Sequence, residues 1–463
     1  MARTPEQNNA IITGNIPRQL LLFFFPIWLG TMFQQLYNTV DTLIVGNFVG
    51  TQALAAVGAT SSFVQLLVGL FVGLCSGAGV IIAQSFGAGD HDEVNRQVHT
   101  ALALAIAGGA ALTVIGLLIS RPVLRLMQTP DEIVGMASEY LQIYFLGMIP
   151  QMIYNMGTNI LRAVGDSKRP LYFLIISCIC NIILDLAFVV ALKLGVAGVG
   201  IATILSQLIS AVLVMATLMR SETAIRFVPR QLGFSGKLLK DIVRIGLPAG
   251  MQSVLYSISN AILQSTVNSF GTTVIAAYTA YGKIDGFFWM VIGAFGVSIT
   301  TFVGQNFGAQ KYDRMRKSTR VCLCMAFGTT FLIEALFYFG SSFVMQLFSR
   351  DPAVIEQGVR IAQHLAPFLC LYVCVEILSG TLRGTGDSIV PMIITCGGIC
   401  LLRVCWVAFV VPHHHELLTV LDSYPVSWGL ASLLFILYYL FGGWLKRRKK
   451  AMGFPLEESA KNA

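Results

Sequence analysis

An all-α polytopic membrane protein, with twelve transmembrane helices in two parallel six-helix lobes, is the fold class this sequence predicts. Three observations carry it: a composition that needs lipid as solvent, apolar segments of bilayer length, and an internal repeat. The chain has 463 residues, of which 55% are hydrophobic and 12% charged, with a mean hydropathy of +0.73. Soluble domains carry about a quarter charged residues, so the surplus apolar surface calls for a bilayer. The ten cysteines all fall in apolar stretches, where they act as small hydrophobes rather than as a disulfide framework. The opening stretch, residues 1–19, is polar and lacks the ordered pattern of a signal peptide.

Cutting the chain at its charged loops leaves segments of roughly the ~20 residues that cross a bilayer. In order they are 18–47, 53–85, 94–120, 132–160, 170–192, 196–219, 239–269, 274–306, 318–341, 353–381, 390–411 and 425–445. With the amino terminus in the cytoplasm, 24 of the 31 Lys and Arg face inward. Arg121, Arg125, Lys193, Arg350 and Arg360 face outward, and Lys283 and Arg403 lie within spans. That asymmetry is the one expected of positive loops on the inner side, so both termini are predicted to be cytoplasmic. The basic stretches 220–244, 311–320 and 446–450 read as topology determinants, with anionic-lipid binding as the alternative.

A shift of 221 residues lays AQSFGAG (83–89) on GQNFGAQ (304–310), and LRAVGDSKRP (161–170) on LRGTGDSIVP (382–391). Two matches at one offset mark a repeat, and an even number of spans per half makes the halves parallel. The expected division is an amino-terminal lobe over 1–219, a cytoplasmic linker over 220–240, and a carboxyl-terminal lobe with a basic tail over 241–463. The recurring LR-x-x-GDS has a local rationale. Gly165 and Gly386 permit a tight turn, Asp166 and Asp387 with the following Ser can cap the next helix, and Pro170 and Pro391 need no donor in its first turn. A part in closing an inward gate is the sharper reading.

A carboxylate in the hydrocarbon zone costs about 2.5 to 3.5 kcal/mol on insertion scales, so each needs a partner or a purpose. Five stand out: Asp41, Asp185, Asp285, Glu334 and Glu376. Asp41 lies six residues before the end of its span at Asn47, Asp185 seven before Leu192, and Thr203 seven after Val196. At 1.5 Å per residue all three sit about 10 Å below the outer surface. Tyr37 shares a face with Asp41, and Asn181 with Asp185, each at i,i+4. The first half can therefore gather two carboxylates, an amide, a hydroxyl and a phenol. Oxygen donors suit sodium, whereas neighbouring buried carboxylates favour a shared proton through desolvation and like-charge repulsion; the proton is the favoured coupling ion. A polar network that only ties the helices together is the alternative.

The second half does not repeat this cluster. At the 221 offset Asp185 becomes Trp406, Asn181 becomes Leu402 and Asn155 becomes Glu376. Asn155, Asp285, Glu376 and Arg403 are the expected lining of a substrate cleft, with an interhelix charge network of Asp285, Glu376 and Arg403 as the other reading. Glu334 has no evident partner. His413, His414 and His415 lack the spacing of tetrahedral metal ligands, so no metal site is expected there. No P-loop, GxSxG, HExxH or nucleotide fingerprint occurs, which points away from ATP as the energy source, from a cofactor and from a familiar enzyme.

The twelve spans, the paired QSFGAG and GQNFGA helix ends, the paired LR-x-x-GDS loops and the segment QQLYNTVDTLIVG (34–46) together resemble the multidrug and toxic compound extrusion (MATE) family of bacterial transporters. The likeness covers nearly the whole chain. It implies a cation site in the amino-terminal lobe of the kind some members carry, matched here at Asp41, Asn181, Asp185 and Thr203. Other members place an essential acid on helix 7, where this chain has only Asp241 at the cytoplasmic start. The resemblance further implies a monomeric antiporter of the bacterial cytoplasmic (inner) membrane, exporting organic cations and drugs by alternating access, with no nucleic-acid partner. A flippase for a lipid-linked saccharide is the related alternative, but it would want a basic cleft, and the spans offer only Lys283 and Arg403 as cations.

Overall fold

The computed structural model describes residues 9–455; the first eight residues of the polar amino-terminal stretch and the end of the basic tail, residues 456–463, lie outside the described residues. Among the described residues, ten helices are long and apolar enough to cross a membrane. They are α1 (Ile16–Val49), α2 (Thr51–Ala88), α3 (His91–Leu126), α5 (Lys168–Ala191), α6 (Gly195–Met219), α8 (Thr272–Gly308), α9 (Tyr312–Gln346), α10 (Pro352–Gly384), α11 (Ile389–Phe409) and α12 (Leu417–Phe441). Two further helical segments complete the twelve. The fourth span, α4, is split at Gly147 into rods Asp131–Leu146 and Met148–Ala163, each too short alone. The seventh, α7 (Gly236–Asn268), dilutes its apolar residues with Gln252, Ser253, Ser257, Asn260 and Gln264. Large apolar side chains point outward on the spans, among them Leu118 (71% exposed), Phe339 (83%) and Phe409 (70%), which lipid but not water would accommodate.

The chain divides into two compact units, one over Leu21–Gly250 and the other over Ala10–Leu20 with residues 251–455. Tertiary contacts draw these limits, with residues 220–240 inside the first unit. The expected linker packs on the first unit: Asn95 Nδ2 donates to the carbonyls of Ala224 (3.2 Å) and Arg226 (2.8 Å), and the Val228 N–H donates to His99 Nε2 (3.0 Å). The short helix Ala10–Thr13 belongs to the second unit, where the Arg314 guanidinium donates to the carbonyls of Ile11 (2.9 Å) and Gly14 (2.5 Å). A terminal helix, α13 (Trp444–Ala451), follows α12; Lys449 lies 3.8 Å from the Tyr312 ring centre and Arg448 Nε donates to the Thr385 carbonyl at 2.8 Å.

Both LR-x-x-GDS loops turn through glycines in the left-handed region, Gly165 at φ 96° and Gly386 at φ 85°, where a Cβ would be strained. Pro170 and Pro391 each occupy the third position of the following helix. The acids then diverge. Asp166 Oδ1 accepts from the backbone N–H groups of Lys168 and Arg169, both at 3.1 Å, as a helix cap. Asp387 Oδ2 instead accepts from the Tyr438 hydroxyl (2.7 Å), which in turn receives Arg447 Nη2 (2.8 Å).

The first unit is built around Phe145, fully buried, whose ring packs edge-on against Phe63 at 5.9 Å. Glycines let α3 approach it; at Gly116 a Cβ would stand 2.1 Å from Phe145 Cγ. The break at Gly147 leaves carbonyls of the first α4 rod without helical donors, and Thr113 Oγ1 of α3 serves that of Phe145 at 2.8 Å.

Candidate functional site

Three helices carry the five polar residues expected to meet in the first unit, and four of them, Tyr37, Asp41, Asp185 and Thr203, lie within reach of one another, with Asn181 one turn before Asp185 on α5. The Asp41 carboxyl comes within interaction range of the Asp185 carboxyl and the Tyr37 phenol, and that phenol faces the Thr203 hydroxyl. Asn181 and Asp185 are completely buried. Hydrogen bonding inside the cluster is nonetheless incomplete. The Tyr37 hydroxyl, Asp41 Oδ1, both polar atoms of the Asn181 amide and both Asp185 oxygens are buried without a well-formed hydrogen bond. Thr203 Oγ1 donates to the Val199 carbonyl of its own helix at 2.9 Å, so its lone pairs stay available to the cluster. Ser177 Oγ to the Ser206 carbonyl (2.7 Å) fastens α5 to α6 beside it.

Such a set of incompletely bonded oxygens is costly to bury. Two adjacent carboxylates in a low-dielectric interior repel unless a proton or a metal cation sits between them, and the same oxygens can serve either. Both acid-bearing helices change to π-turns just past the acids, over Val45–Val49 after Asp41 and over Leu186–Ala191 directly after Asp185. Single π-turns inside helices recur at functional sites because they re-aim side chains and loosen the backbone ladder. Ile44, Val45, Val189 and Val196 form an apolar cluster on that side.

Sequence reasoning missed Tyr140 and Tyr144 on the first rod of α4. Tyr140 lies within electrostatic reach of both Asp41 and Asp185, its ring is 6.1 Å from that of Tyr144, and Gln151 Nε2 donates to the Tyr144 hydroxyl at 3.2 Å. The available signal was two phenols at i,i+4 on an otherwise apolar span.

Of the residues expected to line a substrate cleft, one lies in the first unit and three in the second. Asn155 belongs to the first unit and spends its Nδ2 on the Gln151 carbonyl at 2.9 Å. Glu376, expected beside Arg403, instead pairs with Arg383 two turns further along α10 at 3.3 Å, because both side chains lie on one helix face. That corrects the three-residue charge network to a pair plus a separate site. Asp285 accepts from the Trp289 indole (2.6 Å) and the Tyr281 hydroxyl (3.3 Å), and Arg403 donates to Ser427 Oγ (3.0 Å) and Asn260 Oδ1 (3.4 Å). Glu334 gains a role: its Oε1 accepts the Cys370 N–H at 2.7 Å. The break of α10 at Ala366–Phe368, around Pro367, leaves donors at the new helix start that an acid from α9 can satisfy. His413 Nδ1 contacts the Phe409 carbonyl at 2.8 Å and His415 stacks on Phe270 at 4.5 Å, so these rings have local partners.

The Glu376–Arg383 pair, with both side chains 20% exposed, predicts that Glu376→Gln and Arg383→Gln each lower stability by about 1–2 kcal/mol. The double variant should lose less than the sum. Thermal unfolding of the four proteins in one detergent checks this, and strictly additive losses would dissolve the pair.

Comparison with known proteins gives a consistent picture. The MatE family profile matches residues 26–187 and 248–407, one match in each half. The chain is 29% identical over 440 residues to the probable multidrug resistance protein YoeA of Bacillus subtilis, covering 93% of this chain and 95% of that one. It is 24% identical over 377 residues to the multidrug export protein MepA of Staphylococcus aureus, covering 80% and 82%. Among solved structures, a MATE in the bent conformation superposes with a TM-score of 0.88 at 24% identity, over 97% of this chain and 99% of that one. With twelve spans in two repeated units and matches in both halves, the chain belongs to the MatE family, the multidrug and toxic compound extrusion transporters.

Proposed function

We propose that this transporter is a secondary active antiporter that exports organic cations and drugs in exchange for a proton, with sodium as the competing ion, by exposing its sites alternately to the two sides of the membrane. The observation that carries the reading is the Asp41–Asp185 pair, set among buried oxygens whose hydrogen bonding is incomplete. Facing carboxyls favour a shared proton over a metal ion, since one hydrogen satisfies both. The multidrug names of the relatives supply the substrate class. In this reading both termini are cytoplasmic, the membrane is the bacterial inner membrane and the protein acts as a monomer. Protons and sodium ions carry enough free energy: one charge crossing 100 mV yields about 2.3 kcal/mol and one pH unit about 1.36 kcal/mol more. Together these concentrate a neutral substrate several-hundredfold, roughly, per ion exchanged.

Export of a cationic dye from cells should stop when ionophores collapse the proton and sodium gradients. Undiminished export after full collapse, with ATP still present, would overturn the proposal. Sodium pulses at fixed pH on both sides should drive no dye movement; sodium-driven transport without proton flux would transfer the coupling to sodium.

A further inference from the structure

Arg403 of α11 is 2% exposed, in the interior of the second unit, and its donors are only partly used. Nε and Nη1 go to Ser427 and Asn260, while Nη2 is buried with no partner. Its guanidinium stacks 4.3 Å from the Tyr424 ring centre and 5.8 Å from that of Trp428. Trp428, 1% exposed, also has a buried indole N–H without an acceptor. Two orphaned donors, one of them on a charged group, thus belong to a guanidinium and a ring 5.8 Å apart in the membrane interior, where each unmade bond is expensive.

The natural counterion is close but held away. Asp285 lies within electrostatic reach of Arg403, yet forms no ion pair with it. The Trp289 indole and Tyr281 hydroxyl tether the carboxylate, as Ser427 and Asn260 tether the guanidinium. Aromatic rings occupy the ground around them: Trp289 lies 6.2 Å from Trp428 and 4.7 Å from Tyr372, and the Tyr278 and Tyr424 hydroxyls meet at 2.7 Å. Asn260, beside Nη1, is exposed.

We infer that Arg403 and Trp428 form a subsite for a carboxylate on the transported molecule, next to Asp285 as the partner for its cationic group, so that the second unit selects aromatic zwitterions over simple monocations. The inference rests on the antiporter reading and adds the substrate class. A planar carboxylate offers two acceptor oxygens, one for Arg403 Nη2 and one for Trp428 Nε1, and charge-assisted donors are the strong ones. A monocation satisfies neither donor and approaches a fixed positive charge.

The test uses the full chain in lipid nanodiscs and a matched pair of fluorescent ligands, an aryl amino acid dye and its methyl ester, with binding read by anisotropy against empty nanodiscs. The wild type should bind the acid about tenfold or more tighter than the ester, the scale of a hydrogen bond to a charged group. Arg403→Gln and Trp428→Phe should each erase most of that preference, Arg403→Gln also tightening the cationic ester by removing the fixed positive charge, and Asp285→Asn should weaken both ligands. If Arg403→Gln does not fold, Trp428→Phe, which retains the ring, carries the comparison alone. Equal affinities in the wild type, or an unchanged preference in the folded variants, would overturn the inference. Gradient-driven export of the ester by the wild type is scored separately, so failure of the subsite is distinguishable from failure of the antiporter reading.

Discussion

Asp41→Asn and Asp185→Asn should each abolish gradient-driven export while leaving a folded, inserted protein that still binds its cargo. The two acids face one another in the first unit, and Asp185 is wholly buried. An amide cannot carry the exchanged proton and cannot offer a second anionic oxygen to sodium, so either coupling ion is lost. Folding should not suffer, because replacing a buried carboxyl by a neutral isostere removes a desolvation penalty of several kcal/mol, roughly, along with the repulsion between the acids. Unfolding temperature should therefore hold or rise in both variants while transport falls to background. Cargo binding should persist, since Asp285 and Arg403 belong to the other unit. A coordinated loss of expression, unfolding temperature and transport would instead mark the cluster as a structural network.

Gly116→Val should be among the most damaging single changes to the first unit outside that cluster. Even the first added carbon would stand 2.1, 2.3 and 2.4 Å from three Phe145 ring atoms. The ring has nowhere to go: it is fully buried, lies against Phe63 at 5.9 Å and Tyr144 at 6.3 Å, and its own carbonyl is pinned by Thr113. Overpacking of this kind costs about 1–3 kcal/mol and more where nothing yields, so about 3 kcal/mol is the expected loss. Shortening the obstacle should relieve it, and Gly116→Ala with Phe145→Leu should recover part of what Gly116→Ala loses alone. Unfolding curves in detergent provide the measurement; an unaffected Gly116→Val protein would mean that α3 and α4 do not meet through Phe145.

Much of this molecule is readable from residue order, and what escapes has definite causes. Hydropathy marks most of the spans, since lipid sets their length and polarity, and the charged loops between them delimit the split α4 and the more polar α7. The polar cluster was legible because helical rise converts sequence distance into depth, and three residues came out level. Tyr140 and Tyr144 escaped because phenols on an apolar span read equally well as packing. The Glu376–Arg383 pair is less plain in the sequence because its partners stand seven residues apart, two turns along one face, rather than at i,i+4. Glu334 had no visible partner because its acceptor role answers a backbone break at Pro367, and backbone donors leave no mark in the sequence. The unit limits depend on contacts such as His99 with Val228 and Arg314 with Ile11, about 129 and 303 residues apart, which no local pattern encodes.

The most direct test of the coupling assignment is dye transport into vesicles holding equal amounts of wild type, Asp41→Asn and Asp185→Asn, each measured with an imposed proton gradient and again in gradient-free exchange of labelled for unlabelled dye. The account predicts that the gradient accelerates uptake by the wild type and that neither variant responds to it. Gradient-driven uptake by either variant at the wild-type rate would contradict the account and place the coupling outside the first unit.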